Sequence, residues 1–325
     1  MVSLYDQESA NRRNSALLVI IVMLAFALFG YVVGYALTGD TGGAISAVAI
    51  ALGLSLVSAL ISYYGGDSIV LRSSRAQEIT RSRAPELFDV VNEMATAAGV
   101  PMPRVYVIDD PSPNAFATGR DASHASVAVT SGLLSRLDRE ELQGVIGHEM
   151  SHVRNYDIRF SLLVGVLLGG ISLLAQFFLR WTFWFGGGGR SNSGDSRDNG
   201  GLIGIVFLLI GLVLSILAPV FTTLAQMAVS RQREYLADAS SVELTRNPYG
   251  LERALEKIAS DPEPLAAANG ATQHLYIVNP LKKDGGGSAL FSTHPPIVDR
   301  INRIRQLTGL RPLGAAAVGA LAGLE

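Results

Sequence analysis

The charged positions along this chain are spaced so as to leave four long apolar stretches. No charged residue lies between Arg13 and Asp40, or between Asp40 and Asp67, two gaps of 26 positions each. A gap of 20 separates Arg159 from Arg180, and one of 32 separates Asp198 from Arg231. About 20 apolar residues carry a helix across the hydrocarbon core. The stretches Ser15–Val33, Ala44–Tyr63, Ser161–Leu179 and Leu202–Ala225 are therefore predicted as transmembrane helices. Core helices of a soluble protein rarely run this far without a charge. Pro219 inside the fourth stretch is tolerable in a membrane bundle. Tyr63, Tyr64, Trp181 and Trp184 fall at the ends of stretches, where amphipathic rings favour the interface. The first stretch follows Arg12 and Arg13 as a secretory signal would, but it is longer than a signal's apolar run and no A-x-A-like cleavage site follows. It reads as a retained anchor.

The polar segments carry different periods. Leu87, Val90, Val91 and Met94 have helical spacing between Pro85 and Gly99. Arg104–Ile108 and Ala125–Thr130 are β-branched or alternating and read as strands. Between them, Asn114–Gly119 follows Pro111 and Pro113 and reads as a short third strand. Asp138 with Glu141 forms a capping box that opens a helix through Leu142, Val145, Ile146 and Met150. Charges from Arg139 to Asp157 hold that helix outside the bilayer, and it is expected to run on into the third span. The fold class that emerges is an α+β membrane protein: four transmembrane helices and a mainly helical catalytic domain with a small β-sheet. The expected division is an N-terminal transmembrane hairpin (1–66), a first catalytic part (67–158), a second hairpin with a Gly-rich polar loop (159–229) and a second catalytic part (230–325).

Composition sharpens this picture. Of 325 residues, 49% are hydrophobic and only 17% charged, against about 25% in soluble domains. The net charge of −2 shows no basic excess, which excludes a nucleic-acid partner. Without cysteine, the chain has no disulfide, thiolate metal site or cysteine nucleophile. Basic residues flank the N-terminal side of the first span, the 67–158 segment and the segment after the fourth span, while the first interspan loop has none. The positive-inside rule then places both termini and the catalytic parts in the cytoplasm of a multi-pass protein of a bacterial or archaeal-type cell (inner) membrane. Arg190 and Arg197 in the other interspan loop pull the opposite way, balanced by Asp195 and Asp198.

The predicted helix from Asp138 contains His148-Glu149-Met150-Ser151-His152. Histidines four apart share a helical face, so both imidazoles can reach one ion, and the adjacent glutamate can take a proton from a water there. Chance supplies this pattern in only a few per thousand such chains, on the order of magnitude that composition sets. A zinc site of this kind needs a third protein ligand and an open position. Glu234 and Asp238, four apart after the fourth stretch, offer one: Glu234 as ligand, and Asp238 as acceptor from the non-ligating nitrogen of His148, although taken alone two solvated acidic residues are the commoner case. A hairpin of spans three and four would bring the two helices side by side.

These motifs resemble the gluzincin metallopeptidases. The match extends to Pro101–Ile108, Pro113–Gly119, Ala128–Leu134, Ser230–Asp238 and Phe291–Pro296, which together look like the membrane-bound heat-shock branch of that group. The likeness runs from the first span to about Leu307 and excludes the apolar tail Gly309–Glu325. It implies one zinc ion per chain on His148, His152 and Glu234, with Glu149 as general base. It implies that the edge strand, Asn114, Ala115, Phe116, Ala117 and Thr118, pairs with an extended substrate backbone. It places His294 near the site, where it could steady the tetrahedral intermediate; from the residues alone, an exposed structural histidine is an equal reading. His124 and His274 lack ligand spacing and read as surface residues.

The expected function is zinc-dependent hydrolysis of peptide bonds in misfolded or damaged membrane proteins, with polypeptide substrates and the bilayer as partners. Three alternatives stand beside it. A prenyl-protein endoprotease uses a similar zinc core but typically has more spans. An intramembrane protease would carry its paired histidines within a span. A non-catalytic membrane scaffold would have no need of Glu149 beside them.

Overall fold

In the computed structural model, residues 4–166, 231–261, 263–268, 272–280 and 295–314 are described. Two long helices, α1 (Leu4–Thr38) and α2 (Thr41–Ser73), form an antiparallel hairpin. Gly39, at φ +72°, and Asp40 make the turn; Asp40 accepts from the Gly43 amide and caps α2. Both helices are long and apolar enough to cross a membrane. They meet through small residues: a Cβ on Gly34 would come within 2.5 Å of the Ala47 side chain. Close backbone approach is how helices gain contact where lipid tails remove any hydrophobic drive. Their other faces expose Leu24, Ile50 and Leu54.

α2 runs ten residues beyond the expected end of its span, to Ser73. The third and fourth predicted spans lie outside the described residues, except that 161–166 are helical.

A four-stranded sheet follows, in the order β1-β2-β4-β3. Its strands are β1 (Gln77–Glu78), β2 (Arg104–Ile108), β3 (Ala115–Gly119) and β4 (Ala125–Thr130). β2 and β4 pair in parallel, with Val105 opposite Val127. β3 pairs antiparallel to β4, with Ala117 opposite Val127, and forms one edge. The two-residue β1 has too little pattern to be read from sequence. Helix α3 (Pro85–Ala98) has Pro85 in its first turn and ends at Gly99 in the left-handed region, φ +69°. Its expected apolar face, Leu87, Val90, Val91 and Met94, is buried.

The short α4 (Ser131–Arg136) leads into α5 (Arg139–Arg154), the helix of the paired histidines, and both halves of the Asp138–Glu141 capping box form. α6 (Arg231–Thr245), α7 (Pro248–Ala259) and α8 (Ile297–Leu307) follow later in the chain. Val145, Ile146, Met150 and Val153 of α5 share one buried core with Leu87, Val127, Leu251 and Ile301. The segments before and after the undescribed stretch 167–230 therefore share one core. Gly144 allows close passage of α7, because a Cβ there would lie 2.5 Å from the Leu251 nitrogen.

α5 does not run on into the third span. It ends at Arg154 with Asn155 as its C-cap, and Tyr156 takes φ +60° before helix resumes over 157–166. This break corrects the continuous helix expected from the sequence. A second buried cluster joins Leu18, Val22 and Ala25 of α1 to Phe160, Leu163 and Val164 beyond it.

Candidate metal centre

α5 and α6 lie side by side, locked by Ser241, whose hydroxyl donates to the Gly144 carbonyl at 2.6 Å. The pairing brings His148, His152 and Glu234 together, with one potential ligand atom from each within 4.8 Å of the others. The Nε2 atoms of the two histidines are 3.2 Å apart. Glu234 Oε2 is 3.7 Å from His148 Nε2, and its Oε1 is 3.6 Å from His152 Nε2. Bonds of about 2.0–2.2 Å in a tetrahedral site give edges of roughly 3.3–3.6 Å. The three side chains are therefore spaced as ligands of a small divalent ion.

Each ring is held from behind. His148 Nδ1 is 2.9 Å from Asp238 Oδ1, the contact expected from the four-residue spacing of Glu234 and Asp238. Arg300 of α8, fully buried, grips the same carboxylate through Nη2 (2.6 Å) and Nε (2.9 Å) and donates from Nη1 to the Ile277 carbonyl (2.6 Å). His152 Nδ1 is 3.0 Å from Asp157 Oδ2. With both Nδ1 atoms hydrogen-bonded to carboxylates, each ring is fixed in rotation and tautomer and turns Nε2 toward the shared space.

The electrostatics agree. Burial holds His148 below the usual imidazole range, in the neutral form that ligates. Against the cost of burial, the Arg300 guanidinium keeps Asp238 ionised and below the usual carboxylate range. Burial also pulls the His152 ring down, but the Asp157 hydrogen bond and the Glu234 charge outweigh it and push His152 up to about 9. The surroundings of His152 thus call for positive charge, which a divalent cation supplies.

Glu149 is 1% exposed, and burial pushes its carboxyl up to about 7. Ala117 of β3 lies beside it in the same cleft, and its backbone amide pulls the carboxyl the other way. Its Oε1 is buried with no hydrogen-bond partner among the described residues. A buried carboxylate oxygen left open beside three ligand atoms fits a site that takes water and an ion.

The cleft over these groups is lined by Ala117, Glu149, Ser161, Arg233, His274 and Ile277, among others. His274 is half-buried there and its Nε2 lies 3.0 Å from the Ser161 carbonyl, so it is a cleft residue and not the surface residue expected. His124 is exposed beside Asp121, as expected. His294 lies outside the described residues.

The five residues expected to receive substrate have different fates. Asn114 is buried and donates from Nδ2 to the Val278 carbonyl, and the Ala115 carbonyl accepts from the Ile277 amide at 2.9 Å. The chain itself thus covers that end of the strand. Phe116 is buried against Tyr276, ring centroids 5.0 Å apart. Thr118 is buried opposite Ser126 of β4. Ala117 alone of the five lines the cleft.

Sequence reasoning missed Asp157, Arg300 and His274. Arg300 left a signal: Ile297, Ile301 and Ile304 form the buried stripe of α8, and Arg300 lies on it. A lone charge on an apolar face requires a buried partner.

A sheet edge beside a helix of paired histidines, an adjacent buried glutamate and a third ligand from a second helix defines a metallopeptidase. The comparisons with known proteins agree. Residues 81–308 match peptidase family M48. The chain is 46% identical to the "Protease HtpX homolog" of Ligilactobacillus salivarius over 304 residues, covering 94% of this chain and 100% of the relative. It is 47% identical to the homologues of Streptococcus uberis and Lactobacillus helveticus, with the same coverage. It also resembles the crystal structure of S. mikatae Ste24p, with a TM-score of 0.48 and 20% identity over 94% of this chain and 67% of that one. The chain belongs to peptidase family M48, among its HtpX-type membrane metalloendopeptidases.

Proposed function

We propose that this enzyme is a zinc endopeptidase that cleaves misfolded or damaged membrane proteins during stress-related quality control. His148, His152 and Glu234 hold one zinc ion per chain, and their mutual spacing beside Glu149 is the observation that carries the reading. When bound, the ion supplies Lewis acidity, lowering the pKa of water toward about 7 and polarising a carbonyl.

The chain's own residues do the rest. Glu149, kept near neutrality by burial, accepts a proton from the attacking water and returns it to the leaving amine. A C–O bond forms, the peptide C–N bond breaks, and the net reactant is one water. Glu149 and Ala117 line the same cleft, so the carboxyl stands beside the strand edge. Substrate enters extended beside the Ala117–Gly119 end of β3, since residues 277 and 278 cover the other end. Main-chain pairing of this kind gives weak sequence preference. His294 assists the developing oxyanion.

The protein crosses the membrane four times, with both termini and the catalytic unit in the cytoplasm. The hairpin of α1 and α2 and the distribution of basic residues support that topology. Cleavage of casein and of an unfolded membrane protein, before and after chelation, tests the reading. Chelation is expected to abolish activity and one equivalent of zinc to restore it. Full activity in chelator would refute it, and a protein that neither binds zinc nor cleaves would favour the scaffold.

A further inference from the structure

The break between α5 and the helical segment 157–166 is what aims Asp157 at a ligand. In a continuous helix, residues five apart point about 140° from one another. His152 and Asp157 are five apart, yet their side chains meet at 3.0 Å because Tyr156 reverses the backbone at φ +60°. A non-glycine residue in that conformation persists only where its surroundings hold it.

The closest holding groups come from the first membrane helix, joined by Arg159 of the segment itself and by Arg233 of α6, whose Nη1 is 3.6 Å from Asp157 Oδ1. Asn11 of α1, 3% exposed, donates from Nδ2 to the Asn155 carbonyl at 2.9 Å and to Asp157 Oδ1 at 2.5 Å. Its two amide hydrogens thus bridge the break, one partner on either side of Tyr156. The next residue, Arg12, stacks over the Tyr156 ring, its guanidinium carbon 4.7 Å from the centroid. Arg159 stacks on the same ring at 4.8 Å. Below this clamp, Leu18 and Val22 of α1 share a buried cluster with Phe160 and Val164.

We propose that Asn11 is a positioning residue of the metal centre, acting through Asp157 on His152, so that the first membrane helix is a working part of the site as well as an anchor. The proposal rests on the metallopeptidase reading above. Asn11 touches neither ion nor substrate. Its amide fixes the carboxylate that fixes the ring. The chemistry requires a short donor with two hydrogens: alanine gives none, and aspartate of the same shape sets a second carboxylate against Asp157.

The test uses the full-length protein in detergent and three readouts. These are zinc affinity by competition with a chromophoric chelator, the visible spectrum of the cobalt-loaded protein, and kcat and KM. Removing an outer-shell partner typically weakens metal binding about 10- to 100-fold, and Asp157→Ala is expected in that range. Asn11→Ala, one contact further out, is expected to lose roughly 3- to 10-fold in zinc affinity, to perturb the cobalt spectrum and to lower kcat with KM unchanged. In the Asp157→Ala background, Asn11→Ala is expected to add nothing, because both act along one path. Leu24→Ala, on the exposed face of α1, is expected to behave as wild type. Wild-type affinity and spectrum in Asn11→Ala, or losses that add in the double variant, would overturn the proposal. Should Asn11→Ala fail to fold, Asn11→Asp is read by the same criteria. A wild-type protein that binds no zinc would remove the metallopeptidase reading and this proposal with it, an outcome distinct from a wild type that binds while the variants do not differ.

Discussion

The two histidines of the centre are supported in different ways. Behind His148, Asp238 and Arg300 form a closed ion pair, both nearly inaccessible, built wholly from α6 and α8 of the catalytic unit. Behind His152, the Asp157 carboxylate stands between a backbone break, an amide from a membrane helix and the more distant charge of Arg233, 3.6 Å away. The first arm is a rigid part of the core. The second spans the junction between catalytic unit and anchor. The difference teaches that removing the membrane helices would leave the support of His148 intact and strip the Asn11 amide from that of His152.

The largest effect that separates the arms is expected at Arg300. Arg300→Ala leaves the Asp238 carboxylate buried without its guanidinium counter-charge, a loss of about 3–5 kcal/mol. Thermal unfolding should register it as a large fall in Tm, with or without metal. A small fall would mean that the first arm is not a core element.

Between the arms lies Glu149, whose effect depends on pH. Its folded value of about 7 lies above the ordinary 4.5, so the folded state holds this proton more tightly than the unfolded state does. Metal-free protein therefore loses stability as pH rises from 4.5 through about 7, by at most roughly 3 kcal/mol. Metal-free Glu149→Gln should melt above metal-free wild type at about pH 8 and converge with it below about pH 5. Parallel melting curves across that range would show that burial of Glu149 costs nothing.

The smallest effect on folding is expected in the second arm. Asp157→Ala should weaken zinc binding about 10- to 100-fold while moving the metal-free Tm far less than Arg300→Ala does. Equal losses of stability at the two positions would erase the contrast between the arms.

How much of this could be read in advance follows from range along the chain. The paired histidines, Glu234 with Asp238, and the Asp138–Glu141 cap were readable because one helical turn relates their members. β3 was readable from its turn residues, and its covered end was not, since Ile277 and Val278 arrive from more than 150 residues away. Asp157 escaped because its meeting with His152 depends on a left-handed tyrosine that no local preference predicts. Asn11 escaped because its partners lie 144 and 146 residues away, and an asparagine at the mouth of an apolar helix looks like any polar flank. Arg300 was hidden only by its charge, which invites a solvated reading on a helix whose stripe argues otherwise.

The central claim is that one ion is held by His148, His152 and Glu234 while Glu149 moves the proton. Metal content and proteolysis measured together on Glu149→Gln test it most directly. The account predicts one zinc per chain, as in wild type, with cleavage reduced by about 10²–10⁴-fold. Cleavage at the wild-type rate in a zinc-loaded Glu149→Gln protein would contradict it.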